Sequence, residues 1–572
     1  MQPFNHLAKI SAMAKPFAAT LCLGLVIGAG VAIAAHLFVA GIRWCEDWRN
    51  SAAASGGFAA GNALFLPGLC LLLALGTVLF ISKFAAIDRW QGPADAIDQA
   101  HRQTAGMSLK QGLASIAAAF FSLAGGASLG QYGPIVHIGG LLGQMFRRPF
   151  IWANLSVDIY VGCGVAAAIS AGFSAPIAGI IFAHEAVLRH FSERAIVPIA
   201  VASVTASSLG SYLFGDERLL SLTAVAPPLL GFVPVLLLSG LVFGLLAVGL
   251  MAAHFFTLRQ LSGLSLSPVV LGLAGVLLLA GLGFMVPDVL GLGMDTIMQM
   301  TAGQFVLSSL VVLLAAKFAA IIISSTTGFV GGFFSPALFL GAAAGGIINQ
   351  LLSAVSLASA GPLLVVSGMA AVSACVVGAP LAVIVLVLEL TMSYPLAVGA
   401  MLSVVVASLT AHLLYGQSLF DKQLEARGVD LSEGRAALAL SGQTVGSLAQ
   451  PGYVRLSASD TVSQATDKLT QAGCAEAYCL TDDGILTGKT SLHRLVAGAP
   501  DSRVADCLET APLCLSAQTN LTEAIRQASE FVGESIPVVD QDTGRLRGVI
   551  TEADLFSVYL QVQKQVKTIE HG

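Results

Sequence analysis

Charged residues are scarce in this sequence. Aspartate, glutamate, lysine and arginine make up only 11% of its 572 residues, whereas hydrophobic residues make up 56% and the mean hydropathy is +0.82. Ordinary soluble domains contain about 25% charged residues. The composition therefore excludes an ordinary soluble protein and indicates an integral membrane protein. The net charge of −5 is a sum over membrane and soluble parts and therefore says little about function. We expect no nucleic-acid partner.

Motifs for metal binding or catalysis are also missing. None of the nine cysteines forms a C-x-x-C pair with a second pair or a histidine cluster, so we expect reduced thiols rather than a zinc site or disulfides. His184 and Glu185 resemble the start of H-E-x-x-H, but Leu188 stands where the second histidine is required. The segment Gly484–Ser491 is one residue short of a phosphate loop. The sequence therefore predicts no catalytic residues and no enzyme.

Long hydrophobic runs fill most of the chain. A helix needs about 20 residues to cross about 30 Å of hydrocarbon, and seven runs are long enough: 17–42, 61–86, 195–214, 230–256, 268–286, 303–324 and 395–415. The first run is too long for a signal peptide and has no clear cleavage site. Lys9 and Lys15 before it place the N-terminus, residues 1–14, in the cytoplasm. Near residue 420 polar residues become frequent, which predicts a soluble tail.

An internal repeat divides the membrane part into halves, about 15–215 and 225–416. The segment Ser174–Glu185 recurs as Gly378–Glu389, with a matching proline and glutamate. Five small residues also recur at a constant offset: Gly126, Gly130, Pro134, Gly139 and Gly143 match Gly328, Gly332, Pro336, Gly341 and Gly345. Membrane proteins with such repeats often have halves of opposite topology around a site at the midplane, and we infer the same arrangement.

The glycine and proline clusters GQYGP (Gly130–Pro134) and GFFSP (Gly332–Pro336) predict helices that begin inside the bilayer. Such a start leaves backbone N–H groups without hydrogen-bond partners, and each unpaired group costs several kcal/mol of free energy in hydrocarbon. Two positive helix ends that meet at one point would bind an anion without a lysine. The alternative is that these glycines only allow close helix packing.

Three motifs resemble the CLC family of chloride channels and proton/chloride exchangers. GQYGP is similar to the family's G-x-E-G-P motif, GFFSP to its G-x-F-x-P motif, and Ala379–Glu389 to its A-P-L segment that ends in glutamate. The resemblance covers most of residues 15–425. It implies a multi-pass all-α membrane domain of two inverted repeats, and a homodimer in the cell (inner) membrane in which each subunit has its own pore.

Both proton-carrying glutamates of that family are replaced here. The gating glutamate's position in the motif is Tyr132, and the inner glutamate's position, next to Glu185, is Ala186. A free phenol has a pKa of about 10, so it stays uncharged at neutral pH and is a poor proton carrier. Strict proton coupling by the family's route is therefore not expected. Glu185 and Glu389 lie in apolar helices, where they are either structural or proton carriers.

The family's other anion ligands also differ. Gln91, in WQGPA, stands in the place of the family's serine, and Phe420 in the place of its tyrosine. We expect the Tyr132 hydroxyl and the Gln91 amide to donate hydrogen bonds while Phe334 and Phe420 line dry walls; alternatively, Tyr132 plugs the pore. His137 either faces the pore or is packed and hydrogen-bonded. The resemblance assigns the anion pathway to these residues: Gln91, Gly130, Gln131, Tyr132, Gly133, Gly332, Phe333, Phe334 and Phe420.

The tail contains a second repeat that resembles a pair of CBS domains. After a linker at 426–440, each unit of the domain at 441–572, about 441–498 and 501–562, predicts strand, helix, strand, strand, helix. The family's nucleotide motif G-h-x-T-x-x-D is matched by Gly548–Asp554, so Thr551 and Asp554 are candidate nucleotide contacts. In the first unit Ser491 replaces the threonine. An adenine nucleotide at this cytoplasmic α/β domain and a purely structural role both remain open, and no cofactor is required.

The leading hypothesis is passive transport of a small monovalent anion. Chloride is expected by resemblance, with bicarbonate and nitrate as alternatives; fluoride is disfavoured because the family's fluoride branch lacks the proline that Pro134 retains. The first rival hypothesis is a proton-coupled antiporter with a non-standard path through His137 or Glu185. The second is a membrane nucleotide sensor that transports nothing. The expected partners are the anion, the lipid bilayer and a second copy of the chain.

Overall fold

A computed structural model of the chain describes residues 2–54, 65–102, 107–150, 155–215, 229–354 and 360–571. They form two compact units, Met1–Val429 and Asp430–Gly572. The predicted run 61–86 begins with residues 61–64, which lie outside the described residues, as do the side chains of Lys9 and Lys15 and the start of the predicted second half at 225–228.

The first half of the membrane unit contains eight α-helices and one π-helical turn within the described residues. Its first helix already begins at Gln2, so the predicted N-terminal segment is helical from residue 2 onwards. The elements are α1 (Gln2–Ala54), α2 (Phe65–Ala85), α3 (Pro93–Arg102), α4 (Leu109–Ala124), α5 (Tyr132–Met145), α6 (Val157–Phe173), α7 (Pro176–Phe182), the π-helix Ala183–Leu188, and α8 (Glu193–Phe214).

The second half repeats this order. Its elements are α9 (Val233–Ser262), α10 (Pro268–Met285), α11 (Met294–Thr301), α12 (Leu307–Thr326), α13 (Phe334–Ala354), α14 (Pro362–Val377), α15 (Pro380–Thr391), α16 (Tyr394–Tyr415) and α17 (Leu419–Glu425). Eight helical segments of the described chain are long and apolar enough to cross a membrane. Seven of them overlap the predicted runs, and the eighth, Phe334–Ala354, is the helix that begins at the GFFSP motif.

Two of the repeated glycines in each half allow neighbouring helices to cross closely. A Cβ atom on Gly139 would lie 2.2 Å from the carbonyl oxygen of Gly164, and one on Gly341 would lie 2.1 Å from that of Gly368. The next glycines make the same approach, Gly143 to Tyr160 at 2.1 Å and Gly345 to Leu364 at 2.2 Å. Because no side chain fits at these crossings of α5 with α6 and α13 with α14, the close-packing interpretation holds for this part of the repeat.

The tail unit contains two similar three-stranded sheets. The first unit has β1 (Val454–Leu456), α19 (Val462–Ala472), β2 (Glu476–Leu480), β3 (Leu486–Ser491) and α20 (Leu492–Val496), and the second has β4 (Leu515–Ser516), α21 (Leu521–Ala528), β5 (Ile536–Val539), β6 (Leu546–Ile550) and α22 (Glu552–His571). The helix α18 (Gly434–Ser441) precedes them, within the predicted linker. In each sheet the first pair of strands is parallel and the second antiparallel. The predicted order of strands and helices is confirmed.

A buried ion pair joins strands β2 and β3 of the tail, and its lysine also contacts the loop before β5 of the second sheet. The Lys489 ammonium lies 2.7 Å from Glu476 and donates to the carbonyl oxygen of Ser535 at 2.8 Å. The hydroxyl of Tyr478 also contacts Ser535, and burial raises the pKa of this phenol. Lys489 therefore has a structural role inside the sheet. This agrees with the prediction that Gly484–Ser491 is not a phosphate loop.

Candidate anion pathway

The two predicted helix starts meet in the centre of the membrane unit. The N–H of Gly130 donates to the carbonyl oxygen of Gly332, and the N–H of Gly332 donates to that of Gly130, both at 2.7 Å. This antiparallel bridge fits halves of opposite topology. A Cβ on Gly133 would lie 2.7 Å from the Cα atom of Gly332, so only glycine fits there. Gly130 and Gly332 thus use their amides on each other and build the junction between the halves.

The backbone N–H groups at the starts of helices α5 and α13 have no acceptor among the described residues. Helix α5 begins at Tyr132 and α13 at Phe334. The N–H groups of Tyr132 and Gly133, and those of Phe334 and Ser335, have no hydrogen-bond acceptor among the described residues. Such N–H groups at a helix start carry the positive end of the helix dipole and bind anions. Each of the two helix starts therefore presents backbone donors of the kind that bind anions.

Tyr132 is part of a compact cluster of aromatic rings. Its ring is 2% exposed and stacks on Phe173, with centroids 3.7 Å apart and planes 13° apart. Phe334 packs edge-on against both, at 5.7 Å from Tyr132 and 5.3 Å from Phe173. Gly172 leaves room for the phenol ring, since a Cβ there would lie 3.1 Å from it. The Tyr132 hydroxyl forms no hydrogen bond with the part of the chain that the structure describes.

Phe173 and Ser335 are site residues that the sequence interpretation missed. Phe173 is the last residue of α6, next to the repeated segment that starts at Ser174, and this position was the only available signal. Ser335 lies in GFFSP, and its buried hydroxyl has no hydrogen-bond partner within the described chain. A Cβ on Gly130 would lie 2.8 Å from this hydroxyl. Its place between phenylalanine and proline at a helix start was the signal for it.

Gln91 and Gln131 carry polar atoms that no described group satisfies. The Gln91 N–H donates to the hydroxyl of Ser115 at 2.9 Å, and its side-chain nitrogen donates to Gln111 at 3.3 Å. The Oε1 atoms of both Gln91 and Gln131 are buried without a donor among the described residues. The polar contacts of Gln91 are therefore with α4, whereas Tyr132 lies in the ring cluster. The start of α3 still reaches the junction, because a Cβ on Gly133 would lie 3.7 Å from Pro93.

The two remaining predicted phenylalanines lie in different surroundings. Phe333 packs edge-on against His254 of α9, with centroids 4.8 Å apart. Phe420 is buried in α17, which packs against α3. An ion pair between Arg189 and Asp421 holds α17 at the turn after the π-helix. The structure thus brings Phe334 into the ring cluster with Tyr132, while Phe333 contacts α9 and Phe420 lies on the short helix against α3.

Glu185 and Glu389 each cap a helix of the opposite half. Both carboxylates accept two hydrogen bonds from the first turn of a helix that begins with proline, α15 for Glu185 and α7 for Glu389. The distances are 3.0 and 2.7 Å from the N–H groups of Leu381 and Ala382 to Glu185, and 2.9 and 2.7 Å from those of Ile177 and Ala178 to Glu389. The geometry agrees with the structural interpretation of these glutamates, because a carboxylate at a helix start is stabilised as the anion.

His137 is packed inside the membrane unit. The side chain is 1% exposed, and the backbones of Gly92, before α3, and Gly112 of α4 are among the groups that act on its ring. The burial agrees with the packed alternative, and the hydrogen bonding of the ring stays a prediction.

In the tail, the predicted nucleotide contacts cap helices. The Asp554 carboxylate accepts from the N–H and the hydroxyl of Thr551 at 3.0 and 2.7 Å, and from the side chain of Gln450 at 3.1 Å. Ser491 accepts from the N–H of Arg494 at 3.4 Å at the start of α20. Ser491 and Thr551 lie at the ends of strands β3 and β6, and Asp554 lies in the first turn of α22. These contacts are within the protein, and nucleotide binding stays a prediction.

Comparison with known families supports the resemblance drawn from the motifs. The model of the voltage gated chloride channel family matches residues 70–412, and that of the CBS domain matches residues 504–561. A putative chloride channel protein ClcB-like from Ralstonia nicotianae is 30% identical over 335 residues, 56% of this chain and 76% of the relative. The H(+)/Cl(-) exchange transporter ClcA from Vibrio parahaemolyticus is 27% identical over 336 residues, 55% of this chain and 71% of the relative.

Solved structures share the fold. A slow cyanobacterial Cl-/H+ antiporter is similar with a TM-score of 0.64 and 22% identity, over 72% of this chain and 98% of that one. A eukaryotic CLC transporter is similar with a TM-score of 0.62 and 16% identity, over 94% and 98% of the two chains. A CLC-type fluoride/proton antiporter has a TM-score of 0.57 and 20% identity, over 71% and 97%. The predicted CLC-like membrane fold and the CBS region are therefore confirmed.

Proposed function

We propose, from the premise that this chain belongs to the voltage-gated chloride channel (CLC) family and carries a CBS region in its tail, that it moves a small monovalent anion passively across the membrane. The observation that carries the proposal is the junction of the two helix starts, where the N–H groups of Tyr132, Gly133, Phe334 and Ser335 have no acceptor among the described residues. These neutral donors would replace part of the anion's hydration shell.

The residues at positions 132 and 186, where the family has its two proton-carrying glutamates, support the absence of strict proton coupling. Tyr132 presents a neutral phenol, and Ala186 presents a methyl group that cannot take up a proton. Glu185 and Glu389 each accept two backbone hydrogen bonds at a helix start, and protonation would weaken the bond to the oxygen that takes the proton. The carboxylates near the pathway are thus better suited to joining the halves than to carrying protons.

Chloride is the first candidate for the transported anion, because the relatives' names refer to chloride. Nitrate and bicarbonate stay candidates, since the side chains at positions 91, 132 and 420 differ from the family's usual ligands. A hydrogen bond from a neutral donor contributes about 0.5–1.5 kcal/mol net, and about 1.5–3 kcal/mol to a charged acceptor. A few such donors bind an anion weakly enough for it to leave, as conduction requires.

The assembly and the tail follow the family in this proposal. We propose a homodimer in the inner membrane with a pathway in each subunit, and with the N-terminus and the tail in the cytoplasm. Thr551 and Asp554 remain the candidate contacts for an adenine nucleotide, alongside a purely structural role of the CBS pair. Heat released on mixing the purified protein with ATP or AMP, and lost in Asp554→Ala, is the expected sign of binding.

Anion flux through the purified protein in liposomes tests the proposal. The wild type is expected to release chloride down its gradient, and Tyr132→Ala to release it about tenfold faster, because the variant removes the ring that fills the junction. Tyr212→Ala, at an exposed tyrosine of α8, is the matched control and leaves the rate unchanged. The absence of flux in both the wild type and Tyr132→Ala, with folding intact, would contradict transport and favour a sensor.

A proton-coupled antiporter is the second candidate function. It is favoured by the relative named as an exchange transporter and by two structural neighbours described as antiporters. Such a mechanism requires a proton path that uses neither position 132 nor position 186. It predicts that a pH gradient drives chloride uphill, whereas passive transport predicts that it does not.

A further inference from the structure

Two buried serines, one in each half of the membrane unit, hold a loop of the opposite half. The hydroxyl of Ser122 in α4 accepts from the N–H of Val330 at 3.0 Å. The hydroxyl of Ser324 in α12 accepts from the N–H of Ser128, also at 3.0 Å. Both acceptor serines are 0% exposed. Each of the two loops is therefore fixed by a side chain that belongs to the other repeat.

The repeat makes these two hydrogen bonds equivalent. The constant offset between the repeated glycines takes Ser122 to Ser324, and it takes Ser128 to Val330. Both acceptors lie near the end of a helix, α4 or α12. Both donors lie two residues before the glycines that bridge the halves. The same contact is thus made twice, in opposite directions, immediately before the two helix starts.

The two loops that the serines hold pack directly on each other. A Cβ on Gly331 would lie 2.6 Å from the Cβ of Leu129 and 3.4 Å from a methyl group of Leu123. The bridge between Gly130 and Gly332 follows at the next residues. Because these loops lead into α5 and α13, their spacing determines where the first N–H groups of both helices point.

These hydroxyls differ from an ordinary buried serine in a helix. Serine in a helix often bonds to a carbonyl oxygen one turn back, as Ser373 of α14 does when it donates to Met369 at 2.7 Å. The oxygens of Ser122 and Ser324 instead accept from a distant segment. A buried N–H that loses its acceptor is unfavourable, so without the hydroxyl the loop has to move towards another acceptor. Such a shift changes the distance between the helix starts.

We propose that Ser122 and Ser324 are positioning residues of the anion pathway, each of which sets the place of the opposite helix start. Neither serine contacts the anion. A hydrogen bond requires a narrow range of donor–acceptor distances, so the spacing of the two helix starts determines how well an anion of given size fits. Chloride is a single atom and nitrate is planar with three oxygens, and a changed spacing alters their ranking. The assignment rests on the proposed anion transport.

Amide hydrogen exchange of the purified full-length protein, followed by mass spectrometry, tests the crossed arrangement. In Ser324→Ala, exchange is expected to become about two- to tenfold faster in the peptide that contains Ser128, the size of one neutral hydrogen bond. In Ser122→Ala, the same acceleration is expected in the peptide that contains Val330. In each variant the loop of the substituted serine's own half keeps its wild-type rate.

Two further variants separate the hydrogen bond from the loss of volume. Ser324→Cys has a side chain of similar size whose sulfur is a weak acceptor, so it is expected to behave as Ser324→Ala. Ser373→Ala removes an equally buried hydroxyl that donates to carbonyl oxygens of α14, and it should leave both loops unchanged.

The ratio of nitrate flux to chloride flux in liposomes tests the effect on the pathway. Ser122→Ala and Ser324→Ala are each expected to change this ratio by about twofold or more, since the loop shift alters the spacing of the donors. The effects of the two substitutions should not be additive, because both act on one junction. Ser373→Ala is expected to keep the wild-type ratio, whatever its effect on stability.

The outcomes distinguish this inference from the proposed function. Unchanged exchange in the crossed loops, or acceleration confined to the half that carries the substitution, would overturn the inference. An unchanged flux ratio in both alanine variants would also overturn it, because the serines would then stabilise the fold without setting the pathway. Crossed acceleration in a protein that moves neither anion would support the hold on the helix starts and contradict transport.

Discussion

The ring of Tyr132 is held by its neighbours as well as by its own backbone. Phe173 stacks on one face, Phe334 meets the ring edge-on, and Gly172 leaves the space that the phenol occupies. An aromatic ring therefore lies packed at the start of α5, where the two helix starts meet. If the anion passes here, the ring has to move, and the strength of its stacking on Phe173 becomes part of the barrier.

Replacing Phe173 with leucine is expected to raise anion flux. A stacked aromatic pair contributes about 0.5–1.5 kcal/mol beyond the burial of its area, so we expect liposome flux to increase about two- to tenfold. The effect should vanish in a Tyr132→Ala background, since Phe173 acts through that ring. Phe80→Leu, at the exposed Phe80–Phe84 stack of α2, is the matched control and leaves flux unchanged. An equal increase in both backgrounds would contradict a role through Tyr132.

Some of these residues were predictable from the sequence, and others were not. The motifs around Gly130 and Gly332 predicted the helix starts because glycine and proline have local conformational consequences. Phe173 lies far from Tyr132 in sequence, and only the packing of α6 on α5 brings the two rings together. His137 is packed near the backbones of Gly92 and Gly112, two neighbours that no local sequence pattern reveals.

At the scale of elements, two exchanged caps join the halves of the membrane unit. Glu185 at the π-helix binds the start of α15, and Glu389 at the end of α15 binds the start of α7. The repeat in the sequence predicted that the two glutamates are equivalent. It could not predict that each one serves the other half, because that depends on how the halves face one another.

Neutralising either glutamate is expected to destabilise the membrane unit rather than to alter proton movement. In Glu185→Gln or Glu389→Gln, one oxygen becomes an amide nitrogen that cannot accept a backbone hydrogen bond. We expect a loss of about 1–3 kcal/mol in each variant, the cost of a buried donor left unsatisfied. Thermal unfolding in detergent measures this loss. Glu193→Gln, at an exposed glutamate in the first turn of α8, should leave the midpoint unchanged.

An unaltered midpoint in both glutamate variants, together with a changed proton dependence of transport, would contradict the structural role. It would favour the antiporter instead. A loss in only one variant would show that the two caps are not equivalent, contrary to the repeat.

The repeat also relates two polar residues whose roles were not visible in the sequence. The offset that takes Gly126 to Gly328 takes Ser115 to Lys317. The hydroxyl of Ser115 accepts from the N–H of Gln91, before α3, and the buried Lys317 ammonium donates to the carbonyl oxygens of Val289 and Gly291, before α11. Both side chains hold the loop before a short helix. A serine and a lysine do not look equivalent, so the shared position emerges only from the structure.

At the scale of the whole molecule, the chain combines a membrane unit with a CBS-containing tail. The hydrophobic runs and the change of composition near residue 420 predicted both. The two sheets of the tail followed from strand and turn patterns, whose local signals are strong. The family resemblance added the candidate site, and the departures at positions 132 and 186 are the reason why passive transport is proposed for this chain.

The most direct test of passive transport is a pH gradient imposed on proteoliposomes that contain equal chloride inside and outside, with the membrane potential held at zero. Passive transport predicts no net chloride movement under the pH gradient and rapid movement once a chloride gradient is imposed. Accumulation of chloride against its gradient, driven by protons and abolished by a protonophore, would contradict it.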